Sequence, residues 1–246
     1  MPTKKLSYSE TGKGKNTLAF IHGFAESKKM WNDFIPLIEE KLVDFSFVCI
    51  DLPGFGQSPI NPKVNSLNEI AKEIVPLLKN YSNLHLVGHS LGGYVIMELL
   101  KNGDLNPFSI CFLNSSIFAD SKKKKEGRNK IIDFLDRNGH EVFIQNFFPG
   151  LFAEPNKHSE IIQNLIEQAK ENNNAKNLMK YMEMMRDRNE NSEVLKNTDL
   201  PIHFISGAKD SSIPHKISQR QIGFIKKSSH LILESDAHMC IFESSK

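Results

Sequence analysis

The chain has 246 residues, 39% of them hydrophobic and 24% charged, with a formal net charge of +2. That length gives one large domain, or a domain with an insertion, and enough chain for a sizeable core. The near-neutral balance, with lysines interleaved among carboxylates and no basic face carrying aromatics, argues against a nucleic-acid or membrane-surface protein.

The first residues, Met1 to Ser7, lack the long apolar run of a secretory leader. No segment reaches the ~18 consecutive apolar residues of a spanning helix. Three scattered cysteines without a Cys-x-x-Cys spacing read as reduced, mostly buried thiols. A cytoplasmic location and no membrane insertion are the expectations.

In chain order, Leu6–Thr11 reads as a first strand and Gly12-Lys13-Gly14 as a turn. Thr17–Ile21 is a continuous apolar run, as in a strand buried on both faces, and it ends at His22-Gly23-Phe24. A helix starting near Ser27 would carry Met30, Trp31, Phe34, Leu37, Ile38 and Leu42. Phe45–Ile50 is a second buried strand, ending in the turn-rich run Asp51 to Ser58. The amphipathic stretch Ser66–Asn80 is a helix with Leu67, Ile70, Ile74, Leu77 and Leu78 on one side.

Leu84–Val87 is a strand that stops at Gly88, and Ser90, Gly92 and Gly93 follow. Val95, Ile96, Leu99 and Leu100 then share a helix face, and Gly103 ends it. Strand, Gly-x-Ser-x-Gly and helix in that order form the setting of a nucleophile elbow. So tight a turn leaves no room for side chains beside the serine. It lifts the hydroxyl to the N-terminus of the next helix, where negative charge is favoured.

Phe108–Leu113 is another strand, so strands and helices alternate as in a parallel sheet. From Ser115 to about Leu195 no strand pattern is found. Lys122–Lys125 starts a solvated helix, and helical patterns follow over residues 131–135, 161–169 and 178–185, broken at Gly139 and Asn172-Asn173-Asn174. Strands resume with Ile202–Ser206, ending in Gly207-Ala208-Lys209-Asp210, and Ser228–Leu233, ending in Glu234 to His238. The reading is an α/β fold: a mostly parallel central sheet flanked by helices forms the core from residues 1–114 and 196–246, with an all-helical cap over 115–195.

A serine hydroxyl is a weak nucleophile and needs a base, which needs an orienting partner. Active-site residues of a parallel sheet sit just past the C-terminal strand ends. Asp210 and His238 hold that place on the last two strands, so Ser90, Asp210 and His238 are the expected catalytic residues, with the chain order of a known triad. Among nine histidines, His230 falls inside a strand, His215 lies in a loop containing proline, and His22 braces a loop. Asp236 shapes a turn and Asp51 begins a structural one. The backbone N–H groups of Phe24 and Leu91 are the expected oxyanion donors, each worth about 10²–10³ in rate.

His22-Gly23-Phe24, Asp51 to Ser58, Gly88 to Gly93, Gly207 to Asp210 and Ala237-His238-Met239 together resemble the α/β-hydrolase fold family over nearly the whole chain. The elbow and the cap position resemble its small esterase and lipase-like branch. The resemblance implies an eight-stranded, mostly parallel sheet, a Ser-His-Asp triad and no cofactor, and no metal-ligand spacing is present.

Two departures are Ala237, where the family has glycine, and a C-terminal helix expected to be short or cut off, eight residues following His238. The family's first strand is expected to be missing or reduced. The cap's Phe143, Phe147, Phe148, Phe152, Met179, Met182, Met184 and Met185 suit an apolar acyl pocket, although taken singly each more readily glues the cap helices to the core. The expected activity is hydrolysis of a small-molecule carboxylic ester with a small or medium acyl group. The alternative is a carbon–carbon bond hydrolase or an elimination-type lyase of quinone biosynthesis. Substrates of that kind carry carboxylates and call for buried arginines, whereas Arg128, Arg186 and Arg188 read as surface residues.

Overall fold

A computed structural model describes residues 5–196 and 198–244; residues 1–4, 197 and 245–246, assigned above to the core segments, lie outside the described residues. Seven strands form one sheet among the described residues, in the order β1-β3-β2-β4-β5-β6-β7. They are β1 (Tyr8–Gly12), β2 (Asn16–Ile21), β3 (Phe45–Ile50), β4 (Leu84–His89), β5 (Ser109–Leu113), β6 (Ile202–Gly207) and β7 (Ser228–Leu233). β1 runs antiparallel to β3 at the edge, and every other pairing is parallel. Among the described residues the sheet therefore has seven strands and not the eight implied by the resemblance, in line with the expectation that the family's first strand is missing or reduced, and β1 forms the edge.

The central strands read as unbroken apolar runs because both faces are covered. Ala19, Ile21, Val48, Ile50 and Leu86 lie in one core and Phe20, Phe47 and Cys49 in another. Each large side chain of this kind contributes roughly 1.5–3 kcal/mol on burial.

The helix expected from Ser27 is a second correction. The chain instead makes a 3₁₀ turn over Lys28–Trp31 and restarts as α1 (Ile35–Glu39). Pro36 lies in the first turn of α1 and has no N–H to continue a helix through that point. α2 (Leu67–Leu78) is capped by the Ser66 side chain, and α3 (Leu91–Asn102) ends at Gly103 with φ 68°.

Between β5 and β6 the chain is helical: α4 (Lys122–Phe147), α5 (Ser159–Asn172), α6 (Ala175–Arg186) and α7 (Glu193–Lys196). α4 turns at Gly139 (φ 76°, ψ 174°), a left-handed conformation that favours glycine. α8 (His215–Ile222) precedes β7, and α9 (Cys240–Glu243) is a single turn after it. Among the described residues no helix is long and apolar enough to cross a membrane.

Parallel strands bring their C-terminal ends to one edge. His22 to Glu26 follow β2, Asp51 follows β3, Ser90 follows β4, Asn114 follows β5, Asp210 follows β6 and His238 follows β7.

Candidate active site

Ser90 stands between β4 and α3 with φ 48° and ψ −110°, a conformation costing about 1–3 kcal/mol for a residue with a Cβ. Neighbours hold it there. Its N–H donates to the Leu113 carbonyl at 3.0 Å, and its carbonyl accepts from the Ser115 hydroxyl at 2.7 Å. The flanking glycines have a spatial reason. A Cβ on Gly88 would lie 2.6 Å from the Gly93 nitrogen, and one on Gly92 would overlap the Ile21 carbonyl. The elbow thus rests against the end of β2, whose next residues are His22, Gly23 and Phe24.

Asp210 and His238 meet. His238 Nδ1 donates to Asp210 Oδ2 at 2.8 Å, with both side chains buried. Asp210 Oδ1 accepts from the N–H groups of Ser212 and Ile213 at 2.8 and 2.9 Å. The Asn114 amide donates to Asp210 Oδ2 at 2.9 Å and to the Ala237 carbonyl at 3.0 Å, joining the acid to the histidine's loop. Burial works to raise the Asp210 pKa, but His238 and these donors outweigh it and hold the carboxyl below its usual range.

The rival residues are engaged elsewhere. His230 Nε2 pairs with the Ser206 hydroxyl at 2.7 Å, and His215 stacks on His230 with ring centroids 6.2 Å apart. His22 donates from Nδ1 to the Gly23 carbonyl at 2.7 Å and accepts the Leu52 N–H on Nε2 at 3.0 Å, so it braces two loops as a neutral ring. Burial lowers its pKa accordingly. Asp51 takes Lys28 Nζ at 2.7 Å and the Gln57 N–H at 3.0 Å. Asp236 accepts the hydroxyls of Ser235 and Ser244, as a turn residue does.

The helical segment touches this constellation from above. The Leu151 carbonyl accepts the His238 N–H at 3.0 Å. The Phe24 ring packs edge-on against Phe143 and Phe147, with centroids 6.2 and 5.7 Å away. Phe147 in turn meets Phe148 at 5.4 Å. The aromatic residues of the segment therefore close around the loop that carries Phe24.

Arg128 and the side chain of Arg188 are buried, which corrects the surface placement expected for them. Asp120, fully buried, gathers them: Arg188 Nη1 lies 2.8 Å from Oδ1, Lys124 Nζ 3.8 Å from it, and Arg128 Nε bonds Oδ2. The Arg188 guanidinium also lies 3.9 Å above the Tyr94 ring. Arg186 stays at the surface and pairs with Asp187 at 2.6 Å.

Sequence reasoning missed three neighbours of the site: Asn114, Glu26 and Glu243. The Glu243 carboxylate accepts the N–H groups of Ala237 and Ala153 at 2.8 and 2.7 Å. Asn114 carried one usable signal, its place directly after β5; the two glutamates carried none. No group of three or more metal-ligating side chains is found among the described residues.

Comparison with known proteins agrees with the fold. Over 95 residues the chain is 33% identical to a pimeloyl-[acyl-carrier protein] methyl ester esterase of Aeromonas hydrophila, covering 38% of this chain and 35% of that protein. It is 37% identical over 86 residues to a 2-succinyl-6-hydroxy-2,4-cyclohexadiene-1-carboxylate synthase of Citrobacter koseri, covering 34% and 32%. The match spans only 15% to 35% of the length of such curated relatives. The fold superposes on a thermophilic esterase of Thermogutta terrifontis with a TM-score of 0.85 at 22% identity, over 97% of this chain and 88% of the other. A family profile described as alpha/beta hydrolase fold matches residues 16–245. With that match running from β2 to the C-terminal turn, the chain belongs to the alpha/beta hydrolase fold family.

Proposed function

We propose that the chain is a serine hydrolase cleaving carboxylic esters of small or medium apolar acyl groups. The observation that carries the reading is the Asp210–His238 hydrogen bond of 2.8 Å at the strand ends beside the elbow. His238 Nε2 takes the Ser90 proton as Oγ attacks the ester carbonyl. Asp210 holds Nδ1–H and stabilises the imidazolium that forms. The N–H groups of Phe24 and Leu91 receive the oxyanion.

The tetrahedral adduct collapses when His238 returns the proton to the leaving alkoxide, releasing the alcohol and leaving an acyl-Ser90 ester. Water, deprotonated by the same imidazole, attacks that ester and restores Ser90 with release of the acid. Residues 115–195 act as a cap, with Phe143 and Phe147 bounding the acyl side.

A second reading, carbon–carbon hydrolysis or an elimination on a carboxylate-bearing substrate, is favoured by the burial of Arg128 and Arg188 and by the similarity to the synthase. The ester reading is stronger because Asp120 already engages both guanidinium groups.

The test is a panel of p-nitrophenyl esters of graded acyl length, run with a fluorophosphonate probe. Turnover and labelling that both vanish in Ser90→Ala are expected. Full activity in that variant would sink the mechanism. Labelling without turnover of any ester would move the assignment to the second reading.

A further inference from the structure

His89, directly before the nucleophile, is fully buried and is not used by the reaction just described. Its Nδ1 lies 3.0 Å from Glu26 Oε2, and its Nε2 lies 3.0 Å from the His238 carbonyl. The same Glu26 oxygen accepts the Gly23 N–H at 2.6 Å. One imidazole and one carboxylate therefore tie together the three segments that must align: the loop ending in Phe24, the elbow, and the loop of His238.

We propose that the buried His89–Glu26 pair is a positioning device, holding base, nucleophile and oxyanion donors in register through a doubly protonated ring. The proposal rests on the serine-hydrolase reading.

Both ring partners are oxygens. A carbonyl cannot donate, so Nε2 must. Glu26 is held ionised and has no proton to give, so its Oε2 accepts from both the Gly23 N–H and Nδ1. A ring with two N–H donors is an imidazolium, and its counter-charge is the adjacent carboxylate. The protonation equilibria agree. Burial works to lower the His89 pKa, but Glu26, through charge and hydrogen bond, outweighs it and raises it. Burial likewise works to raise Glu26, and His89 reverses it.

The other titratable groups facing the pair are His22, from the loop after β2, Asp210, from the end of β6, and His238, whose ring centroid lies 5.1 Å from that of His89. His22 is neutral, and Asp210 adds to the field that keeps His89 charged. At alkaline pH the ring loses one proton and can keep only one of its two bonds. The loops then uncouple and turnover falls.

The experiment compares wild type with Glu26→Gln, which keeps shape and removes charge. A small misplacement of catalytic groups costs up to ~10²-fold. We expect kcat to fall about 10-fold or more with KM within about 2-fold, Ser90 still labelled by fluorophosphonate, and the alkaline limb of kcat moved to lower pH. Glu26→Asp, which restores the charge, should recover the limb.

A folded, labelled Glu26→Gln protein with wild-type kcat and pH profile overturns the positioning role and leaves the hydrolase reading intact. An unlabelled wild-type chain refutes the hydrolase reading and the proposal with it. Should Glu26→Gln fail to fold, NMR of wild type with ¹⁵N-labelled histidine decides. At a pH where the exposed histidines of the same spectrum have just become neutral, His89 should still show both nitrogens protonated, and a ring that loses its proton together with them overturns the proposal.

Discussion

Gly92 faces the carbonyl of Ile21 so closely that a Cβ would overlap its oxygen, so elbow and β2 meet backbone to backbone. The obstacle is main chain inside a central strand and cannot swing aside. Gly92→Ala is therefore expected to destabilise the protein by about 3 kcal/mol, the upper range of overpacking. Displacing the Phe24 loop from the elbow should also suppress ester turnover. Thermal denaturation and kcat measure the two effects. A melting temperature equal to wild type would show that the elbow can shift without cost.

Asp210 is held by four donors: His238, Asn114, Ser212 and Ile213. Asparagine in its place offers one acceptor oxygen and an NH₂ group, so His238 loses either its orientation or its correct tautomer. Asp210→Asn is expected to lower kcat by roughly 10⁴, as loss of the triad carboxylate does elsewhere. The melting temperature should report a folded protein. A near-wild-type rate would assign the orienting role to another group.

Much of this was legible because strand ends and site coincide. Ser90, Asp210 and His238 each come within a short turn of a strand end, and a parallel sheet gathers such positions on one edge whatever lies between them. The break near Pro36 was readable in principle, since proline withholds the N–H a continuous helix needs. The arginines were not. Arg128 and Arg188 sit among polar residues, and only the fold brings the buried Asp120 to both. Glu26 and His89 were hidden for the same reason: they are 63 positions apart, and no local spacing announces their contact.

The thiols yield a prediction that is independent of the triad. Burial pushes Cys49 and Cys111 up to about 12 and Cys240 well above its usual value. The thiolate is the reactive form, so at about pH 8 almost none is present. Native protein treated with iodoacetamide should retain full ester turnover and incorporate almost no label, while urea-unfolded protein should take up label at all three cysteines. Fast alkylation of the native chain with loss of activity would place a thiol in the chemistry.

Asp120 carries the last prediction, one of stability rather than rate. Burial works to raise its pKa, but Arg188, Arg128 and Lys124 outweigh that and hold it below the ordinary carboxylate range. A depressed carboxyl contributes stability that is fully present above the unfolded pKa of about 3.9 and is lost as pH falls through the lower folded value. Acid should therefore loosen the junction of α4 and α6 below about pH 4. Asp120→Asn should remove that part of the pH dependence. Because it leaves two buried guanidinium groups without their counter-charge, it should also cost about 3–5 kcal/mol at neutral pH. Urea denaturation of both proteins between acid and neutral pH measures each effect. Parallel pH profiles for the two proteins would show that Asp120 does not supply the acid-sensitive term.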